Sequence, residues 1–140
     1  MFKRILITVE LPPGEALHSK ALAVAADLAR EADADLIVGT VLPEWITVRD
    51  ADWDPAAEQE FTRKAEEDLD GIVAGLPHPK CEKLVHWGAK PGATLDLIDA
   101  ARADLLVLPH RRRGLLDFVR PSDTMRIARR SSCSVLLVRE

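Results

Sequence analysis

Short apolar runs that alternate with helical patterns constrain the fold of this chain more than any other feature. The runs within Arg4–Glu10 and Asp35–Leu42 lack the polar alternation of a strand that has one face in water. Such runs are typical of parallel strands buried on both faces. Between them, apolar residues recur at helical spacing from about Ala16 to Ala32. A strand, a crossover helix and a second strand form the βαβ unit of a parallel sheet.

The rest of the chain continues this alternation. After an irregular segment at Glu44–Asp54, an N-cap followed by proline, Asp54-Pro55, predicts a helix that ends near Ala74. The remaining predicted elements are a strand at Cys81–Trp87, a helix at Pro91–Ala103, a strand at Asp104–Leu108, a helix at Ser122–Arg130 and a strand at Val135–Val138. The sequence therefore predicts an α/β fold. One domain at residues 1–140 would hold a five-stranded parallel doubly wound sheet, Rossmann-like, with helices on both faces.

Composition narrows the class of protein. A formal net charge of -4 argues against a general nucleic-acid binder. Cys81 and Cys133 form no close metal-ligand pair, which is typical of reduced, mostly buried thiols in a cytosolic protein. No apolar stretch approaches the roughly 20 residues that cross a bilayer, and the chain opens on a strand rather than a signal peptide. We therefore expect a cytoplasmic protein with neither nucleic acid nor membrane as a partner.

The loop after the fourth predicted strand is where the sequence places a ligand. Past Pro109, where we expect the strand to break, it carries Arg111, Arg112, Arg113 and Gly114, and it reaches Ser122 at the head of a helix. Ligands of open α/β sheets bind outside the carboxyl ends of the strands. Guanidinium groups and a helix amino terminus together suit an anion.

A less specific interpretation of the same loop is favoured over this one. The arginines would lie in solvent and pair with Asp117, Asp123 or acidic residues of a partner subunit, and Ser122 would serve as an N-cap whether or not an anion binds.

No catalytic or metal-binding pattern is recognisable. The histidines are scattered at His18, His78, His86 and His110, and only His110 is expected in the candidate site. Asp50, Asp52 and Asp54 alternate, but they lack the glycine turn and distal glutamate of a calcium-binding loop. We therefore expect no catalytic residues and no metal.

Four stretches, in order and at the right spacing, resemble the universal stress protein family over essentially the whole chain. They are KRILITVE with the helix HSKALAVAADLA, then ADLIVGTVLP, then GAKPGATLDLIDAARADLLVL, and finally ARRSSCSVLLVRE, in which Ser134 replaces a proline of the family. The resemblance implies a sheet of order 3-2-1-4-5 and a role in stress survival. It also implies a homodimer through the last strand, whose residues are Val135, Leu136, Leu137 and Val138.

The chain departs from the family's nucleotide-binding members in the loop after the fourth strand. Those members carry Gly-x-x-Gly, nine residues, and then Gly-Ser or Gly-Thr. Here Pro109 stands at the first glycine, Arg112 lies near the second and Pro121 precedes Ser122, so that only Ser122 and the intervening Gly114 match. Proline fixes φ and removes an N–H, so two backbone donors for phosphate are lost.

On the adenine side of the site, Glu10 stands where the family has an aspartate, and Val41 matches a family contact. We expect a universal stress protein that acts by regulation or protein contact, with no cofactor and no family-type ATP binding. The alternative is a modified site that holds ATP or another phosphorylated anion. Such a site could also hydrolyse ATP slowly. Its residues would be Glu10, Val41, Arg111, Arg112, Arg113, Gly114 and Ser122.

Overall fold

The computed structural model describes residues 1–11, 18–44, 48–49, 52–110 and 123–140. In chain order the elements are β1 (Arg4–Thr8), α1 (Ser19–Ala32), β2 (Asp35–Leu42), β3 (Val48–Arg49), β4 (Asp52–Trp53), α2 (Pro55–Ala74), β5 (Cys81–Trp87), α3 (Gly92–Ala101), β6 (Leu105–His110), α4 (Asp123–Arg130) and β7 (Ser134–Arg139).

Five of the strands form one parallel sheet in the order β5-β2-β1-β6-β7. Numbered by their appearance among the five predicted strands, this is the order 3-2-1-4-5. The predicted fold class and strand order are therefore confirmed. The sequence did not predict β3 and β4, which pair antiparallel with Val48 opposite Trp53 within the segment we expected to be irregular.

Alternation along the central strands divides the core between the two faces of the sheet. Ile5 and Ile7 pack with α1 and with Leu69 of α2, whereas Leu6 packs with α3 and with Ile127 of α4. All five side chains are nearly or completely buried. Because both faces are covered, the central strands need apolar residues at every position, and this produces the continuous apolar runs of the sequence.

Two residues in left-handed backbone conformation end helices just before the central strands. Asp33 follows α1 with φ 52°, and Arg102 follows α3 with φ 52°. The N–H of Arg102 donates to the carbonyl of Asp99, and that of Ala103 donates to Ile98. These bonds satisfy carbonyls at the helix end, so α3 stops two residues before the predicted Ala103.

Arg4 joins several elements at the amino-terminal edge of the sheet. Its guanidinium donates to the Ala101 carbonyl at 2.8 Å, to Asp35 of β2 at 3.0 Å and to Glu82 of β5 at 2.8 Å. Beside it, the Asp104 carboxylate accepts from the backbone N–H groups of Lys3 and Arg4 at 2.8 and 3.0 Å. This edge is therefore held by side chains as well as by the strand ladders.

Candidate functional site

The central strands separate at the carboxyl edge of the sheet, between β1 and β6. Pairing of β1 with β6 ends at Ile7 and Val107, whereas β1 stays with β2 through Thr8 and Gly39, and the Val9 N–H donates to the Gly39 carbonyl at 2.9 Å. From β1 the chain crosses to one side of the sheet, and from β6 it crosses to the other. A crevice at such a reversal of strand order is where open α/β sheets bind ligands.

Thr40 fixes β1 to β2 on one side of this crevice. Its hydroxyl is buried and donates to the carbonyl of Val9 at 2.7 Å. This bond holds the chain against β2 one residue beyond the end of β1. The chain therefore stays beside β2 at the point where it separates from β6.

On β6, the expectation that the strand breaks at Pro109 is wrong. The strand continues through Pro109 and His110, which lie opposite Val138 and Arg139 of β7. The His110 carbonyl accepts from the N–H of Glu140, so the backbone groups of His110 point toward β7 and those of Pro109 point toward β1. Pairing with β1 has already ended there, and proline's missing N–H leaves no ladder bond unmade.

Glu10 lies at the crevice and contacts two residues that the sequence did not assign to it. Its backbone N–H donates to Nε2 of His18 at 3.0 Å, and its carboxylate lies 3.7 Å from Nζ of Lys90. His18 is 8% exposed and immediately precedes α1 with φ 67°. Because Nε2 accepts this bond, the imidazole is neutral with its proton on Nδ1.

The sequence predicts only His110 among the histidines of the candidate site, and the structure adds a contact of His18 with the predicted site residue Glu10. The sequence signal for His18 was its position within the predicted segment Ala16–Ala32, just after the loop that follows β1. The signal for Lys90 was its place in the turn Gly88-Ala89-Lys90-Pro91 after β5, since carboxyl ends of parallel strands meet at one edge of the sheet.

Val41 lies on β2 and is partly buried against the core cluster that includes α3. Two residues earlier on the same face is Gly39, where a Cβ would approach Cδ2 of Leu97 within 2.9 Å. Glu10 lies two residues beyond the end of β1, and its carboxylate faces Lys90 in the turn before α3, on the α3 side of the sheet. The structure thus brings Glu10 and Val41 to the same edge and face.

The other predicted ligand-binding residues, Arg111, Arg112, Arg113, Gly114 and Ser122, lie outside the described residues, and their roles stay predictions. Asp123, proposed as an ion-pair partner for those arginines, has its carboxylate 3.9 Å from Arg126 of its own helix.

The predicted dimer strand is at an edge of the sheet, where β7 pairs with β6. Val138 is buried, and Val135, Leu136 and Leu137 are partly buried. Whether the strand pairs with a second copy stays a prediction.

The cysteines lie away from the crevice. Cys81 begins β5 and Cys133 precedes β7, so both are at the amino-terminal edge, and both are half-buried rather than mostly buried as expected. Burial, together with the neighbouring Glu82 carboxylate, raises the pKa of the Cys81 thiol and disfavours the reactive thiolate. In the described ranges, no three His, Cys, Asp or Glu side chains come together as metal ligands. Nor does any helix there have the length and apolar character to cross a membrane.

The comparisons with known proteins agree on one family. The sequence model of the universal stress protein family matches residues 1–139. No curated protein matches the chain.

Several solved structures share the fold. One is a universal stress protein in complex with cAMP, with TM-score 0.70 and 22% identity over 98% of this chain and 97% of that chain. A second is UspA from Lactobacillus plantarum, with TM-score 0.67 and 20% identity over 98% and 97%. A third is the universal stress protein from Archaeoglobus fulgidus in complex with dAMP, with TM-score 0.64 and 19% identity over 96% of each chain.

Proposed function

The chain belongs to the universal stress protein family, and on that premise we propose that it acts in the stress response as a non-catalytic regulator. It works through protein contact, in the cytoplasm, and it does not bind ATP as the family's nucleotide-binding members do.

The observation that carries this proposal is the backbone at Pro109. The residue stands where the resemblance places the first glycine of the phosphate-binding loop, and here it lies within β6, opposite Val138. A residue without an N–H, in extended backbone that is paired with β7, cannot donate to a phosphate. Strand β6 thus includes the position at which the phosphate-binding loop of the family would begin.

The contacts among Glu10, His18 and Lys90 support a role in holding the chain in place rather than in catalysis. The histidine accepts from a backbone N–H through Nε2, and the carboxylate faces an ammonium group. Both groups are used in joining the end of β1 to the starts of α1 and α3. We accordingly propose no catalytic residue and no resident cofactor.

A homodimer through Val135–Val138 is part of the same proposal. An apolar edge strand is an aggregation hazard unless it is paired or covered. Pairing of β7 with β7 of a second copy would satisfy its outward backbone groups and give a regulator two equal contact surfaces.

A second candidate function is the binding of an adenine nucleotide or another phosphorylated anion at the crevice. It is favoured because two structures of the same fold hold cAMP and dAMP. Lys90 would add a cation there, and Arg111, Arg112 and Arg113 would replace the lost backbone donors with guanidinium groups.

Isothermal titration separates the two functions. The purified protein is titrated with ATP and magnesium, with cAMP and with dAMP, each at low and at moderate salt. The proposed function predicts no heat with any of them up to millimolar nucleotide. Micromolar binding that weakens with salt would overturn it in favour of the second candidate.

A pair of variants then locates any binding that is found. Arg111→Ala with Arg112→Ala should abolish binding through a modified loop. The matched control, Arg129→Ala with Arg130→Ala, removes the same charge at the far end of α4 and should leave binding unchanged.

A further inference from the structure

Charge is distributed very unevenly along the chain. The first 100 residues contain 10 basic and 19 acidic residues, whereas the last 40 contain 9 arginines and 4 acidic residues. The formal charges of the two parts are therefore -9 and +5. A net charge of -4 conceals this separation, which is of the kind that drives association with a complementary surface.

The fold collects part of the basic excess on α4, at the β7 side of the sheet. This helix exposes Arg126, Arg129 and Arg130, and its buried residue Ile127 packs on the α3 face. Arg126 pairs with Asp123 of its own helix. Neither Arg129 nor Arg130 forms an ion pair with another of the described residues. We call the three arginines the α4 surface.

The acidic excess is greatest on α2, which packs against β5 at the other side of the sheet. The six carboxylates of this helix outnumber Arg63 and Lys64, for a net charge of -4; they are Glu58, Glu60, Glu66, Glu67, Asp68 and Asp70. Arg63 pairs with Glu60 and Glu67, and Lys83 pairs with Asp70. Glu66 is exposed outside these pairs. We call the four exposed carboxylates of this helix, those of Glu60, Glu66, Glu67 and Asp70, the α2 surface.

The two surfaces cannot meet within one chain. Leu69 places α2 on the face of the sheet that carries α1, whereas Ile127 places α4 on the opposite face. The strands between them put the two helices at opposite edges as well. The two helices therefore cannot neutralise each other's net charge within one chain, whereas the helix of a second copy can.

We propose that the α4 surface of one copy docks on the α2 surface of a second copy, so that molecules associate head to tail. A second copy brings an acidic helix whose exposed carboxylates complement the three exposed arginines of α4. Because the two surfaces are different patches, the contact is heterologous and continues from copy to copy. It is separate from the β7 dimer, which would join identical strands.

Sedimentation velocity at two salt concentrations tests the proposal. Raising the ionic strength from about 0.01 M to about 0.15 M shortens the screening length from about 30 Å to about 8 Å. We expect species larger than the dimer at low salt, and a dissociation constant for their association that rises about 10-fold or more at the higher salt. A mass that is the same at both salts would overturn the proposal.

Charge exchange identifies the surfaces. Arg126→Glu with Arg130→Glu, or Glu66→Lys with Glu67→Lys, should each remove the large species at low salt, and an equimolar mixture of the two variants should restore them. For the arginine variant, the matched control Lys20→Glu with Arg30→Glu makes the same change of charge on α1, and it should still associate.

Failure of the mixture to associate, or equal loss in the control, would contradict a specific α4–α2 contact. If the wild type remains a dimer at low salt but binds heparin through Arg126 and Arg130, the α4 surface serves a polyanion and the proposal is wrong. Circular dichroism of each variant shows that a loss of association is not a loss of fold.

Discussion

Gly88 ends β5 in a backbone conformation that suits only glycine. Its φ is 149°, and a Cβ built on it would lie 2.9 Å from Cβ of Ala93 in α3. Its N–H donates to the carbonyl of Leu42 at 3.0 Å, which joins β5 to β2 at the edge that carries Lys90. The residue therefore sets both the path of the turn and the distance of α3 from the sheet.

We expect Gly88→Ala to lower the free energy of unfolding by about 2 kcal/mol, from backbone strain and the contact with Ala93. Urea denaturation followed by circular dichroism measures it. Gly71→Ala is the control, because Gly71 lies in α2 with nothing within 4 Å of a Cβ and should gain about 0.5–1 kcal/mol. A Gly88 variant as stable as the wild type would contradict this account.

The sequence predicted the turn at Gly88–Gly92 but not the contacts of individual residues around it. The contact of Gly88 with Ala93 depends on how close α3 lies to the sheet. The bond from Glu10 to His18 depends on the path of the loop between them. Glu10 and Val41 were chosen by resemblance and do share one edge, whereas His18 and Lys90 form no sequence pattern with them.

At the scale of elements, the Asp104 carboxylate joins the start of β6 to the start of β1. Burial raises the pKa of the Asp104 carboxyl, but the N–H donors of Lys3 and Arg4 outweigh it, and the pKa lies below its ordinary value. The ionised group is thus more favourable in the folded than in the unfolded chain. Its contribution to stability is complete above the unfolded pKa and is lost as pH falls through the folded pKa.

We expect Asp104→Asn to lower the free energy of unfolding by about 1–2 kcal/mol at pH 7, because charge-assisted bonds are replaced by weaker ones. The difference from the wild type should shrink as the pH falls from about 4 to about 2. Urea midpoints across this range measure it. Asp99→Asn removes an exposed carboxylate of α3 and should stay within about 0.5 kcal/mol of the wild type. A difference for Asp104→Asn that is constant with pH would refute the assignment.

At this scale the sequence predicted the existence of the main elements better than their ends. The apolar runs and helical spacing depend on burial, which the layered fold imposes on every central strand. The ends depend on tertiary pairing. β6 passes through Pro109 because β7 continues beside it, and the two-residue strands β3 and β4 are too short to show a period.

At the scale of the whole molecule, the proposed homodimer depends on pairing through the edge strand β7. The backbone N–H of Glu140 donates to the His110 carbonyl. Because backbone groups alternate in direction along β7, those of Val135 point away from β6. Val135→Pro removes one outward N–H and no bond to β6. We expect this variant to remain folded but to be a monomer. Light scattering at moderate salt should then give half the mass of the wild-type dimer.

Leu136→Pro is its counterpart, since it removes an N–H that points toward β6, and it should lose stability by about 3 kcal/mol or more. A Val135→Pro variant that keeps the mass of a dimer, or a wild type that is monomeric at high concentration, would contradict pairing through β7.

Arg4 and Asp104 fasten the amino-terminal edge, and the crevice opens at the other edge, where β1 and β6 part. The division has an evolutionary consequence. Changes in the loops beyond Glu10 and His110 leave this anchorage untouched, so a lineage can lose or replace a ligand there while it keeps its folding intact. A substitution at Pro109, on the crevice side of β6, would likewise leave the bonds of Arg4 and Asp104 in place.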